Sequence, residues 1–315
     1  MASKPGLLQS QSAPPVDAGN GEAGAWSPQH ALAPGLHLVA TPIGNLGDVT
    51  LRGLWVLRHC DRILCEDTRV TARLLARHGV EKPLAPYHDH NADRVRAGIL
   101  DALGRGEKLA LVSDAGTPLV SDPGYKLVRE ALAAGLPVTA APGPSAALTA
   151  LILSGLPPDR FLFAGFLPAR SGERRRALER LRIEDRTIIL YEAPHRIEDT
   201  VSDAREILGD RPACLAREVT KLHEEFRRGT LGEISVSLTE RPARGEITLL
   251  IGPVSAEDKA AHRDTSQSLA ERVDELIRQA KLDRKEALKL AAKERGITKR
   301  AAYHELHLDL REPEA

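Results

Sequence analysis

Aromatic residues make up only 3% of the 315-residue chain, cysteine occurs three times and methionine once. So few rings exclude extensive stacking on unpaired bases, and any nucleic acid bound here has to be read through phosphates and shape. Cys60, Cys65 and Cys214 are too few and too scattered for a disulfide framework or a four-ligand zinc site, which leaves reduced thiols and a cytoplasmic setting as the expectation. An excess of one charge is also missing: 44 Lys and Arg balance 44 Asp and Glu. That excludes a general polyanion sponge and leaves room only for local basic patches. No apolar run approaches the roughly 18–20 residues that span a bilayer, and 1–35 lacks the apolar centre of a signal peptide. The expectation is a soluble protein with no membrane partner.

What is present is an ordinary globular composition, 42% hydrophobic and 28% charged, in a chain long enough for two cores. Residues 1–35 are rich in Ala, Pro, Gly, Ser and Gln without any period, and read as a disordered tail. From Leu36 short apolar runs (36–40, 62–65, 109–112, 137–140) alternate with amphipathic stretches (50–59, 71–78, 92–103, 125–134). Buried strands alternating with helices predict a largely parallel sheet covered on both faces, over 36–155. Gly155-Leu156-Pro157-Pro158 breaks the pattern, and strand-like runs resume at 161–163, 187–191, 213–216 and 246–251. Arg227-Arg228-Gly229-Thr230 reads as a connecting turn, so 156–253 is a second α/β domain with a mixed sheet. Beyond Pro253 the remaining 254–315 is a linker and about three short helices, with a capping-box pattern at Asp283 and Glu286, a stop at Gly296 and a cap at Thr298.

Three loops after the first domain's strands hold the polar chemistry: 40–48, 112–124 and 141–146. In an open α/β sheet ligands gather at the carboxyl ends of strands, and loops that combine Gly and Pro make rigid cradles there. Neither a Gly-x-Gly-x-x-Gly turn nor a Gly-Lys-Ser/Thr phosphate loop occurs, so nicotinamide, flavin and nucleoside triphosphate sites lose their usual signature. Each loop alone would equally pass as a tight turn; three at successive strand ends favour a site.

The runs Val39-Ala40-Thr41-Pro42-Ile43-Gly44-Asn45-Leu46, Glu66-Asp67-Thr68-Arg69, Ser113-Asp114-Ala115-Gly116-Thr117-Pro118, Ser121-Asp122-Pro123-Gly124 and Pro142-Gly143-Pro144-Ser145-Ala146 resemble the tetrapyrrole methylase superfamily. Further along, Phe163-Ala164-Gly165-Phe166-Leu167-Pro168, Tyr191-Glu192-Ala193-Pro194-His195-Arg196 and the run 217–225 are similar to its branch that methylates small-subunit ribosomal RNA. The resemblance implies two α/β domains with S-adenosylmethionine in the cleft between them, a homodimer, and methyl transfer to the ribose 2′-oxygen of a cytidine in the decoding centre of 16S rRNA. It places Asp114, Gly116, Thr117, Ser145 and Ala146 at the cofactor, with Tyr191, Ala216 and Ile247 completing the pocket from the second domain. Ala193 stands where the branch often has a small hydroxyl residue.

Methyl transfer from a sulfonium is an in-line displacement, so alignment supplies much of the acceleration. The acceptor hydroxyl still loses a proton, for which Glu66, Lys221 and Glu224 are the candidates. Asp67 reads equally as a helix cap, and Arg69 either grips a phosphate or anchors a neighbouring acid. His88 and His90 lie too close together, without supporting ligands, for a metal site, so none is expected. His90 and Asn91 read as a cap or as RNA contacts. Two basic stretches are candidate RNA surfaces: 169–186, with seven Arg against four acids including Arg174, Arg175 and Arg176, and 276–303, with nine Lys or Arg against three acids including Arg284, Lys285, Lys299 and Arg300. A methylase acting on a small tetrapyrrole, or a ribosome assembly protein without activity, are the alternatives.

Overall fold

Short apolar runs separated by amphipathic stretches fold, in the computed structural model, into two α/β lobes and a trio of C-terminal helices. The structure describes residues 30–255, 269–280, 282–294 and 298–308. The first lobe runs β1 (Gly35–Val39), α1 (Leu51–His59), β2 (Arg62–Cys65), α2 (Thr68–Arg77), β3 (Leu84–Pro86), α3 (Ala92–Gly104), β4 (Lys108–Leu111), α4 (Tyr125–Ala133) and β5 (Val138–Ala141). Its sheet has the order β3-β2-β4-β1-β5 and every pairing is parallel. Side chains alternate across it: Val39, Ile63, Cys65 and Ala110 pack under α1 and α2, while Leu36, Leu64, Leu109 and Leu111 pack under α3 and α4. Burying each large aliphatic side chain contributes roughly 1.5–3 kcal/mol.

Two sequence expectations shift here. The disordered tail was expected to reach residue 35, but Leu32 is buried in the first core and the His37 ring bonds the Ala33 carbonyl at 2.9 Å. The remainder of that tail, 1–29, lies outside the described residues. Strand β3 was not anticipated, because three residues ending in proline carry no readable period.

Helix α5 (Ala146–Ser154) leaves the first sheet and packs on the second, whose strands are β6 (Phe161–Phe166), β7 (Thr187–Glu192), β8 (Pro212–Arg217), β9 (Glu225–Thr230) and β10 (Ile247–Ile251). The order is β6-β7-β10-β8-β9, with β6 parallel to β7 and all other pairs antiparallel. The stretch expected to turn at 227–230 belongs instead to β9, an edge strand in register with β8 from Pro212↔Thr230 to Arg217↔Glu225. Helices α6 (Ser171–Glu179), α7 (Ile197–Leu208) and α8 (Leu231–Glu240) cover the sheet's outer face. Ile189, Cys214, Ala216 and Leu250 on the inner face meet Ala147, Ala150 and Leu151 of α5.

The arginine run on α6 is a correction. Arg174 is buried, its Nε 2.7 Å from Asp203 of α7, and Arg175 reaches Asp203 at 2.9 Å and also pairs with Glu206. Both guanidinium groups therefore clamp α6 to α7 and are not open to RNA phosphates; of the three, Arg176 is exposed and has no ion pair among the described residues. The C-terminal helices α9 (Leu269–Ala280), α10 (Arg284–Glu294) and α11 (Lys299–Leu308) share a small core around Val273, Leu288 and Ala302. Asp283 accepts from the Glu286 amide at 2.7 Å and Thr298 from the Ala301 amide at 3.2 Å, as their cap positions predict. Arg284, Lys285 and Lys299 are exposed; Gly296 and the Arg300 side chain lie outside the described residues.

Replacing Arg174→Ala leaves the Asp203 carboxylate with one partner in a largely buried position, and is expected to lower stability by about 3 kcal/mol. Urea unfolding checks this, and an unchanged midpoint would show that the clamp is not structural.

Candidate active site

Three loops meet at the carboxyl ends of β1, β4 and β5, and they are tied to one another by hydrogen bonds. Thr41 and Gly116 exchange main-chain bonds of 2.9 and 3.1 Å, the Thr41 hydroxyl donates to Ser113 O at 3.1 Å, and the Thr117 hydroxyl donates to Pro144 O at 3.1 Å. Gly116 has φ 81°, and a Cβ there would sit 3.2 Å from Ile43, so both backbone conformation and space call for glycine. Four non-glycine residues among those described have positive φ: Leu119, Ser121, Glu218 and Thr220. The first two lie in the second loop and the others in the β8–β9 connection that faces it, the placement expected when packing holds a functional loop under strain. The Asn45 amide donates to Thr220 Oγ1 at 3.2 Å and joins the two lobes.

Between the lobes these loops enclose a cavity of about 430 Å³. Asp114, Gly116, Thr117, Ser145, Ala146, Tyr191 and Ile247 all border it, so seven of the eight residues expected at the cofactor are brought together. Ala216 is the correction: it is wholly buried in the apolar cluster under α5, and its cross-strand neighbour Thr248 takes the wall position. Ile247 packs its side chain into the opposite face of the sheet, so it meets the cavity through its main chain. Ile43, Asp122, Phe166, Val219 and Thr248 also line the wall without having been singled out. Thr248 had a readable signal, being the one polar residue in Ile247–Ile251.

Residues 35–235 match the family described as Tetrapyrrole (Corrin/Porphyrin) Methylases. The chain belongs to that family. It is 45% identical over 284 residues to the "Ribosomal RNA small subunit methyltransferase I" of Mesorhizobium japonicum, covering 89% of this chain and 93% of that protein. The protein of the same name from Xylella fastidiosa is 46% identical over 271 residues, covering 85% of this chain and 97% of its own length. Among solved structures, the methyltransferase CobJ superposes with a TM-score of 0.54 at 21% identity over 69% of this chain and 93% of its own, a likeness of fold.

The family's methyl donor is S-adenosylmethionine, and the cavity fits it by size and by charge. Small-molecule pockets typically hold roughly 300–1,000 Å³. Asp114, Asp122, Glu192 and Glu246 border this one, and no Lys, Arg or His does. Glu192 is spoken for, accepting from Thr200 at 2.7 Å and lying 3.3 Å from Arg196, and Glu246 pairs with Lys221 at 3.2 Å, while Asp114 and Asp122 leave an acidic wall suited to a sulfonium and hostile to a pyrophosphate. Burial, reinforced by Glu66 and Asp114, raises the Asp122 carboxyl to about 6 against a hydrogen bond from Ser113.

The three proton-acceptor candidates part company. Glu66 lies close enough to Asp114 and Asp122 to interact with both, and burial followed by the Asp114 charge raises its pKa. Lys221 is a correction: burial works to lower its pKa, but Glu218 at 2.9 Å and Glu246 at 3.2 Å outweigh it, so the ammonium stays charged and has no lone pair to take a proton. Glu224 is another: its carboxylate accepts from the Thr220 amide at 2.7 Å and holds the turn. Arg69 closes one edge of its fork on Asp67, at 2.7 and 3.1 Å, while its side chain stays exposed, and Asp67 caps α2. Asn91, also expected to meet RNA, is buried with Nδ2 on Pro86 O and Oδ1 on the His88 amide, both at 2.9 Å, while His90 is exposed beside His88. Among the described residues no group of three or more His, Cys, Asp or Glu is placed to hold a metal ion.

Because the folded protein holds the Asp122 proton more tightly than an unfolded chain titrating near 3.8, stability falls as pH rises from about 4 to about 6, and the loss persists above that. Asp122→Asn is therefore expected to unfold later than the parent at pH 8, by about 1–2 kcal/mol, and to match it below about pH 4. Urea titrations at the two pH values read the difference.

Proposed function

We propose that this protein is an S-adenosylmethionine-dependent methyltransferase acting on the small ribosomal subunit, at the ribose 2′-oxygen of a cytidine in the decoding centre of 16S rRNA. The observation that carries the reading is a junction. The acidic cavity shares Ile43, Asp114, Ala115 and Glu246 with an adjoining groove of about 540 Å³, so a donor in one and an acceptor in the other would meet across those four residues. The names of the relatives support an RNA acceptor, and 93% coverage of the Mesorhizobium protein means that almost its whole length has a counterpart here.

The bound donor would supply an electrophilic methyl on a sulfonium. This chain's residues do the rest. The locked loops fix the donor's position, Tyr191 and Phe166 shield the cavity from the second lobe, and Asp114 offers a negative charge. Asp122, with its carboxyl raised to about 6, is ionised at neutral pH yet basic enough to hold the proton released by a hydroxyl, with Glu66 behind it. The lobes are read as domains 36–155 and 156–253, followed by 254–315. Leu148, Ile152 and Leu153 project from α5 as an exposed apolar strip that suits pairing with a second copy in a cytoplasmic homodimer.

Wild-type protein is expected to transfer radiolabelled methyl to small subunits from a strain lacking the modification, and none to tetrapyrrole precursors; mapping the modified nucleotide tests the 2′-oxygen assignment. Asp114→Ala should weaken donor binding by at least about tenfold, as for loss of a charged contact. Calorimetry that returned parental affinity would take Asp114 out of the site.

A further inference from the structure

Helix α2 carries Arg69, Arg73 and Arg77, spaced four residues apart and therefore along one face at intervals of roughly 6 Å. Their states differ. Arg69 is closed on Asp67, whereas Arg73 and Arg77 are exposed and have no carboxylate partner among the described residues. Arg73 gives its Nε to the Arg69 carbonyl at 3.4 Å, which leaves both terminal nitrogens of the guanidinium unpaired. It also stands on the wall of the open groove that adjoins the acidic cavity. Beside Arg73 the groove has an aliphatic patch of Leu46, Val70 and Leu74, with Thr41, Asp114, Lys221 and Glu246 toward the cavity and no aromatic ring among the described residues.

We infer that the α2 face is the track by which a single RNA strand enters the groove, with Arg73 and Arg77 holding consecutive phosphates and the target nucleotide lying against Leu46, Val70 and Leu74. This rests on the RNA methyltransferase reading and adds to it the path of the substrate. A free guanidinium pairs with phosphate through two parallel hydrogen bonds, which fixes orientation as well as attraction. One phosphate anchored at Arg73 puts the attached ribose in the groove, next to the residues shared with the cavity. The aliphatic patch of Leu46, Val70 and Leu74 accepts any base face, so this contact positions the strand and leaves sequence choice to the shape of the subunit. Arg73 and Arg77 are positioning residues here; neither is assigned a part in the chemistry.

The test uses the full-length protein, unmethylated small subunits and labelled donor, with Arg73→Gln, Arg77→Gln and the double variant. The double variant is expected to raise KM for subunits about tenfold, with kcat within about twofold. The slope of log KM against log salt should shrink by about 1.4, the amount for two single-strand phosphates. Arg73→Lys with Arg77→Lys should restore most of the salt dependence, because the charge returns without the fork. Donor affinity and thermal midpoint stay at parental values, which separates a lost contact from a damaged fold. An active parent whose KM and salt slope are unmoved in the double variant overturns the track and leaves the proposed activity standing. A parent that methylates no subunit overturns the activity and the track together.

Discussion

The pair of main-chain hydrogen bonds between Thr41 and Gly116 is the contact on which the other features of the cleft depend. It joins the loop after β1 to the loop after β4, strands that are neighbours in the middle of the sheet. With the loops fastened, Ile43 is carried into the apolar cluster that α5 forms with Ile189, Ala216 and Leu250 of the second sheet. One side chain of the first lobe is thus part of the core that seats the second. The bridge favours glycine at position 116, because its φ of 81° is left-handed and a Cβ there would crowd Ile43 at 3.2 Å. Loop rigidity and lobe placement are consequences of the same contact, so the shape of the cavity does not have to be organised by a ligand.

Charge is separated within a chain whose total is zero. The cavity gathers carboxylates, and the face of α2 beside it presents arginines. Burying Glu66 and Asp122 near each other and near Asp114 is unfavourable: burial first, and then the neighbouring carboxylates, raise both carboxyls. A cationic donor relieves that repulsion, and a polyanion is turned away from the donor cavity toward the track outside. Two ligands of opposite charge can therefore be sorted into adjoining spaces by field alone.

Much of this was legible in the chain, for reasons that vary by element. Most core strands were readable because burial on both faces makes them continuous apolar runs, as in Arg62–Cys65 and Lys108–Leu111. The three loops were readable because Gly and Pro act locally, through φ and lost donors. Strand β9 was not: Arg227-Arg228-Gly229-Thr230 reads as a turn, and it joins a strand only because β8 offers a free edge and because Arg227 finds the carbonyls of Ser237 and Arg241 at 3.1 and 2.7 Å. The arginine run on α6 looked like a phosphate surface because Asp203, the partner that occupies it, lies 29 residues away from Arg174. Ala216 and Thr248 were confused for a related reason. They face each other across β8 and β10, and which of two paired residues reaches a cavity is decided by packing around them.

Lys221 shows how such partners change a residue's chemistry. Its stem lies against Gly44, where any Cβ would collide with it, and Glu218, the carboxylate on its ammonium, lies against Gly245 under the same restriction. Two glycines from different lobes thus make room for one ion pair at the rim where cavity and groove meet. The ammonium also reaches Glu246, which borders both spaces, while Asp114 and Asp122 face the donor with no cation among the described residues that line the cavity. The lysine that looked like a base serves by remaining an acid, holding Glu218 and Glu246 at the rim between donor cavity and groove.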